Sequence, residues 1–155
     1  MKLNRFLAPV IAGIFALALT VAPSFAAFQF SDAARNAALD AVETAAGASP
    51  TLEIRSGAAP ANCAAADSGT VLATMALPAD WMAAASGGSK GKSGTWQDAS
   101  ADATGTAGHF RIKQGATCHI QGTVTATGGG GDMTLDNTSI ATGQTVTINT
   151  FTISN

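Results

Sequence analysis

The chain has 155 residues, of which 12% are charged, with 8 basic against 10 acidic side chains and a formal net charge of −2. Setting aside Lys2 and Arg5, which open the N-terminal segment described next, the acidic excess grows and no basic patch remains for nucleic acid. The length suits one domain with one ordinary core, and the apolar residues are too regularly patterned for a disordered chain.

Residues 1–26 have the layout of a signal peptide. Lys2 and Arg5 give a positive start, "FLAPVIAGIFALALTVA" is the apolar run, and Pro23 breaks it before Ser24-Phe25-Ala26. Cleavage is expected after Ala26, with Ala27 as the mature start, because a cut after Ala27 places bulky Phe25 three residues before the break. The first residue after the cut is Ala27 and not cysteine, so a lipid-anchored product is not expected. The competing reading is an uncleaved membrane anchor, but the run is marginal for a hydrocarbon core of about 30 Å. Use of the signal puts the protein in the periplasm, at the cell surface or outside the cell; membrane contact is expected only through this segment.

Residues 27–49 hold an Ala-rich helix. In "SDAARNAALDAVETAAG" (31–47), Ser31 is a suitable N-cap, Asp32 suits the positive end of the helix dipole, and Gly47 is the stop. Ala34, Ala38, Leu39, Val42 and Ala46 recur at helical spacing and form a narrow apolar stripe, expected to pack flat on a sheet or another subunit.

Residues 50–155 read as strands. "TLEIRSG" alternates, with Leu52 and Ile54 on one face and Glu53 and Arg55 on the other; "TVLATMAL" puts Val71, Ala73, Met75 and Leu77 together. "PADWMAAASGGSKGKSG" is irregular, and "TWQDAS" is a short strand candidate. "GHFRIKQGATCHIQGTVTAT" is the clearest hairpin. A turn at Lys113-Gln114-Gly115 turns Phe110, Ile112, Cys118, Ile120 and Val124 inward and sets His109 opposite His119. "GGGG" (128–131) is a flexible joint before "DMTL". In "TVTINTFTIS", Val146 and Ile148 share a parity that Phe151 and Ile153 do not, so either Asn149-Thr150 is a bulge or the chain crosses between sheets there. The expected fold is mainly β: a single antiparallel β-sandwich or jelly-roll-like domain with one N-terminal α-helix.

Cys63 and Cys118 are the two cysteines, and export invites a disulfide between them. It closes a loop of about 55 residues, worth roughly 4 kcal/mol in the chain-entropy view. Two buried free thiols are the alternative.

"SGGSKGKSG" (86–94) matches two catalytic patterns in part. Gly91-Lys92-Ser93 ends like a P-loop, but Ser86 stands where the motif needs glycine, and no helix is expected after it. Gly87-Gly88-Ser89-Lys90-Gly91 fits the nucleophile elbow, with Asp98 or Asp102 and His109 or His119 in a suitable order. A one-helix domain lacks the α/β sheet that builds such an elbow, so a solvated loop with Lys90 and Lys92 facing water is expected. The histidine pair is two ligands at most, with Asp98, Asp102 and Asp132 unplaced, so no metal is assigned. No catalytic residue and no cofactor is assigned either. Asn137-Thr138-Ser139 is read as a surface turn.

Five stretches together carry a resemblance: "FSDAARNAALDAVE", "TLEIRSGAAPANCAAADSGTVLATMALPADW", "SGGSKGKSG", "DASADATGTAGHFRIKQGATCHIQGTV" and "TSIATGQTVTINTFTI". In order and spacing the chain from about Phe28 onward resembles a family of small proteins encoded in tailed-phage and prophage genomes, usually described as virion structural proteins. The resemblance implies a non-enzymatic head-decoration or tail-associated subunit whose partner is a protein lattice or further copies of itself. Such proteins begin near the "FSDAAR" helix, so residues 1–26 are extra. Three explanations compete: recruitment to an exported cell-surface role, export or anchoring of the phage protein, and a start codon assigned too far upstream. A secreted adhesin-like module, with carbohydrate as its candidate ligand, is the alternative function; tryptophans Trp81 or Trp96 at the rim of a polar groove favour it, whereas buried tryptophans and an open edge strand favour assembly.

Overall fold

The structure, a computed structural model, describes residues 28–155. The signal-like segment and the Ala26–Ala27 junction lie outside the described residues. In chain order the elements are α1 (Asp32–Ala46), β1 (Thr51–Ser56), β2 (Val71–Ala76), β3 (Ser89–Gly91), β4 (Gln97–Asp98), β5 (Gly105–Gln114), β6 (Thr117–Ala126), β7 (Met133–Leu135), β8 (Ser139–Ile140), β9 (Val146–Thr147) and β10 (Thr152–Ser154). The protein is mainly β with one helix, and among the described residues no helix is long and apolar enough to cross a membrane.

The main sheet runs β2-β1-β5-β6-β7, with β8 on the start of β5. All its pairings are antiparallel except β6–β7, which is parallel. Two short pairs, β10–β3 and β4–β9, complete the strand set. Between them and the main sheet lies one core. Leu52, Ile54, Met75, Phe110 and Ile112 contribute from the sheet, and Trp81, Trp96, Val146, Ile148 and Phe151 from the later segments. Phe110 meets Phe151 edge-on at 5.5 Å, and Phe151 leads on to Trp96 at 5.4 Å and Trp81 at 5.9 Å, so the aromatic rings fasten the small pairs to the sheet.

Three expectations change. The long hairpin contains an unforeseen bulge: Ile112 faces Ile120 but Lys113 faces Cys118, leaving His119 as the extra residue. The turn itself is Gly115-Ala116, with Gly115 at φ +58°. One added residue reverses every face beyond it. Cys118 therefore points away from the apolar core, alongside Lys113, and His109 lies opposite Thr123 rather than His119. The last strand resolves in favour of a crossing. Val146–Thr147 pairs with β4, the chain leaves strand geometry through Asn149-Thr150, and Thr152–Ser154 pairs with β3.

The helix keeps its expected ends: Ser31 caps Ala34 N–H through its hydroxyl, and Gly47 at φ +76° terminates it. It docks by a rotated face that keeps only part of the expected stripe, however. Leu39 and Ala46 are buried and Arg35, Asn36 and Glu43 half-buried, while Ala34, Ala38 and Val42 of the apolar stripe stay exposed. Polar anchoring to the body, described next, outweighs the small area an alanine stripe would bury.

Candidate functional site

Two loops bring together the residue types from which a site would be built. The first, residues 57–69, folds over the polar face of the main sheet. Alternation along β1 and β5 puts Arg55, Glu53, His109, Arg111 and Lys113 on that face. The cations are deeply covered: Arg111 is 1% and Arg55 7% exposed. Buried cations persist only when paired and hydrogen-bonded. Asp67 supplies the charge, taking Arg111 Nη1 at 2.6 Å, Lys113 Nζ at 2.6 Å and Arg55 Nη2 at 3.1 Å; Glu53 takes Arg55 Nε at 2.8 Å. The hydrogen bond from Lys113, with the positive charges around it, holds the Asp67 carboxyl below its ordinary range despite partial burial.

Loop carbonyls supply the rest. Arg111 donates to Ala65 O at 3.1 Å and Cys63 O at 2.7 Å, Gln121 Nε2 donates to Pro60 O at 2.7 Å, and His109 Nδ1–H donates to Gly57 O at 2.9 Å. Close approach is needed: a Cβ on Gly108 would lie 2.2 Å from Gly57 O. A disulfide between Cys63 and Cys118, with Cα atoms 5.1 Å apart, pins the loop to β6. The same bulge that displaces His119 turns Cys118 toward this loop. An open cleft of about 590 Å³ beside the disulfide reaches Arg111 and Asp67. Their charges are already committed to each other and to the loop, so this arrangement fastens a loop rather than presenting a free reactive group.

The second loop, 86–94, carries the two partial motifs. Ser86 and Ser89 exchange backbone hydrogen bonds of 2.8 and 3.0 Å around Gly87 and Gly88, both at positive φ, which is a two-residue hairpin turn of the primed kind. Ser89 thus follows a turn and enters a strand, not a helix, so neither the elbow nor the P-loop geometry forms around it. Lys90 does not face water. It is 3% exposed, with its ammonium 2.6 Å from Asp40 and 2.8 Å from Glu43 of α1. Burial works against its charge, yet the hydrogen bonds to Asp40 and Glu43 prevail and hold its pKa above the usual lysine value; the same bond from Lys90 keeps Asp40 low. Lys92 donates to Gly94 O at 2.7 Å and lies 5.8 Å over the Trp96 ring.

Further bonds tie this loop to the helix. Gly88 N–H donates to Asn36 Oδ1 at 2.9 Å, Met82 N–H to Glu43 Oε1 at 3.3 Å, and Trp81 Nε1–H to Gly47 O at 3.0 Å. Gly88 sits at φ +76°, a backbone conformation that favours glycine, with the Arg35 guanidinium packed 2.7 Å from where a Cβ would stand. The loop is the docking surface for α1. No sequence signal marked Lys90 and Asp40 as partners, since fifty residues separate them.

The remaining candidates are dispersed. Trp81 and Trp96 are fully buried, so neither rims a groove. His109 is buried under residue 57, away from His119, and among the described residues no group of three His, Cys, Asp or Glu side chains gathers as a metal site. Asp98 and Asp102 close the outer edge of β2: Asp98 Oδ2 accepts Thr74 N–H at 2.9 Å, and Asp102 Oδ2 accepts the Thr74 hydroxyl at 2.7 Å. Asp132 accepts the N–H and hydroxyl of Thr123 at 2.8 and 2.7 Å; the backbone bond from Thr123, aided by the hydroxyl, lowers its pKa against burial. Asn137 accepts Ser139 N–H in a surface turn. Among the described residues the large apolar side chains left exposed are Phe28, Phe30 and Val42, all in or beside α1. Comparison with protein-family models, curated proteins and solved structures finds no match for the chain.

Proposed function

We propose that this protein is a non-enzymatic structural subunit of phage origin, a capsid-decoration or tail-associated component that works by shape and docks on a protein lattice. The observation that carries the reading is the location of its exposed apolar surface. Phe28 and Phe30, just before α1, and Val42 within it are exposed, and so is the Ala34–Ala38–Val42 row of the helix. Exposed apolar surface gathered on one element is the mark of a protein contact. Two polar residues that first suggested chemistry are instead committed internally, Lys90 to the helix and His109 to the Cys63 loop. A sandwich-like reading of the β domain accompanies this proposal, with the main sheet as one layer and the β3–β10 and β4–β9 pairs as the other, joined through Phe110 and Phe151.

The second reading is a secreted bacterial surface module of the same fold. The Cys63–Cys118 bond favours it, being compatible with an oxidising compartment. Burial of both tryptophans removes the aromatic platform on which its carbohydrate-binding version relied.

Quantitative mass spectrometry of purified particles from an induced source strain tests the proposal. A subunit is expected in the particles at a fixed ratio to the major capsid or tail protein. Recovery only from periplasm, cell surface or medium, with clean particles, overturns it in favour of the surface module. Capsid, portal or tail genes beside this one are expected on the first reading.

A further inference from the structure

Two strand edges face each other across a slot that none of the described residues fills. On β10, the hydrogen bonds Lys92 N–H to Phe151 O and Asn155 N–H to Gly88 O belong to the same side as β3. Antiparallel alternation therefore turns the N–H and C=O groups of Thr152 and Ser154 the other way. On β6, Thr123 N–H is bonded to Asp132, not to β5, so the His109–Thr123 pair is of the non-hydrogen-bonded kind. Two residues earlier, Gln121 likewise directs its backbone groups outward, short of the Val124–Ala126 stretch that β7 covers. Among the described residues no strand pairs with these two edge stretches.

The slot between them is apolar at its base. Phe110, Ile120, Phe151 and Ile153 share the lining of a cavity of about 280 Å³ with Gln121, Asp132, Thr152 and Ser154 at its rim, and it continues past Ile120 and Ile153 into a second of about 290 Å³ against Leu39 and Val42 of α1. At its far end, beyond Asn155, lies a third hollow formed by Phe28, Gln29, Phe30 and Arg35. Phe28 is 96% and Phe30 66% exposed, so this chain's own phenylalanines stand clear of the slot. Their spacing of two puts both rings on one face of a strand, with Gln29 on the other.

The geometry points to β-strand donation between copies: the Phe28–Phe30 segment of a second copy enters the slot, pairs with the free edges of β10 and β6, and lays its two rings on the Ile120–Ile153 base. This rests on the assembly reading and names its partner, a second copy of this chain. Strand addition of this type draws affinity from main-chain hydrogen bonds and specificity from alternate side chains. The face assignments agree: Thr152 and Ser154 are exposed on the solvent side, where Gln29 of the donor would lie, and Ile153 faces inward with the rings. The inserted strand would join the main sheet to the β3–β10 pair and cover two unpaired edges, which are otherwise an aggregation hazard.

Cysteine cross-linking of mixed full-length chains tests this. Gln29→Cys chains are mixed with Ser154→Cys chains under mild oxidation; both positions are exposed, so the fold is not at stake. Covalent heterodimer is expected to form at least tenfold faster than with a control partner carrying Thr95→Cys, and to fall to the control rate when Phe28→Ser and Phe30→Ser are added to the donor. A heterodimer rate equal to the control overturns the inference. So does a cross-link that forms within a chain carrying both Gln29→Cys and Ser154→Cys but not between chains, which would mean that the slot belongs to its own N-terminus. If strand exchange fails while particles still carry the protein, the assembly reading stands and the self-donation alone is lost; its absence from particles would break that reading on separate grounds.

Discussion

The two loops use the same device in opposite arrangements. Over the Cys63 loop the sheet supplies the cations, and an irregular segment supplies carbonyls and one carboxylate. At the 86–94 loop the loop supplies the cation, Lys90, and the helix supplies the carboxylates. Arg111 presents a rigid fork that reaches Cys63 O, Ala65 O and Asp67 at once, whereas Lys90 is a point charge between Asp40 and Glu43. The first loop is also fastened covalently and the second is not. The difference teaches that this protein secures an irregular segment redundantly, and a helix, which already satisfies its own backbone, through a handful of polar ties.

Removing the covalent tie is the strongest way to break the comparison. The Cys63→Ala, Cys118→Ala double variant is expected to lose about 4 kcal/mol, the chain-entropy value for a loop of about 55 residues. Denaturant unfolding measures this, and amide exchange should locate the first opening in residues 57–69. Helix α1 should keep its wild-type protection. Equal loosening of both regions would mean that they form one cooperative unit.

A smaller effect follows from the two buried cations. Arg111→Met leaves Cys63 O and Ala65 O without their donor and is expected to cost about 3 kcal/mol. Lys90→Met is expected to cost about 2 kcal/mol, because its partly exposed carboxylate partners can return to water. Arg111→Lys should recover less than half of its loss, as an ammonium cannot span three acceptors held for a fork. Urea midpoints at constant slope check all three, and full recovery by lysine would show that charge alone matters at Arg111.

The smallest effect is a split in pH response. Asp67 has a lowered pKa, so its contribution is complete above the ordinary carboxylate value of 3.8 and disappears as pH falls through the depressed one. Lys90 has a raised pKa, so its contribution is complete below 10.5 and disappears as pH rises through the raised one. Alkali should therefore loosen the contact between α1 and the 86–94 loop, whereas acid should loosen the Cys63 loop and, because Asp40 is also held low, that contact too. Exchange-rate maps at the two extremes check this, and a Cys63 loop that opens before the α1 contact in alkali would sink the assignment.

Much of the scaffold was legible because it depends on short-range rules. The helix ends follow from Ser31 and Gly47, and the inward faces of β1 and the first half of β5 from strict alternation. The disulfide partners were legible from there being two cysteines in a chain expected to be exported. What stayed hidden is long-range. An extra residue such as His119 leaves no local mark, since a strand with a bulge reads like a strand without one. Lys90 looked like a solvated lysine because its two acids lie half the domain away in sequence. The helix stripe divides for a related reason: Leu39 and Ala46 are buried as expected, but alanines bury too little to compete with the Arg35, Asn36 and Glu43 contacts, so Ala34, Ala38 and Val42 are left outside.

The closed edge of β2 has a consequence for growth. Asp98 and Asp102 occupy the positions where another strand would bind Thr74, while the slot on the other side of the sheet is open. A row of copies built through that slot is therefore polarised, with an unfilled acceptor at one terminus and an unused donor at the other. Such a row either closes into a ring or ends on a different protein. Its length is then decided by whatever occupies the last vacant slot, a capping event and not a property of the repeating subunit.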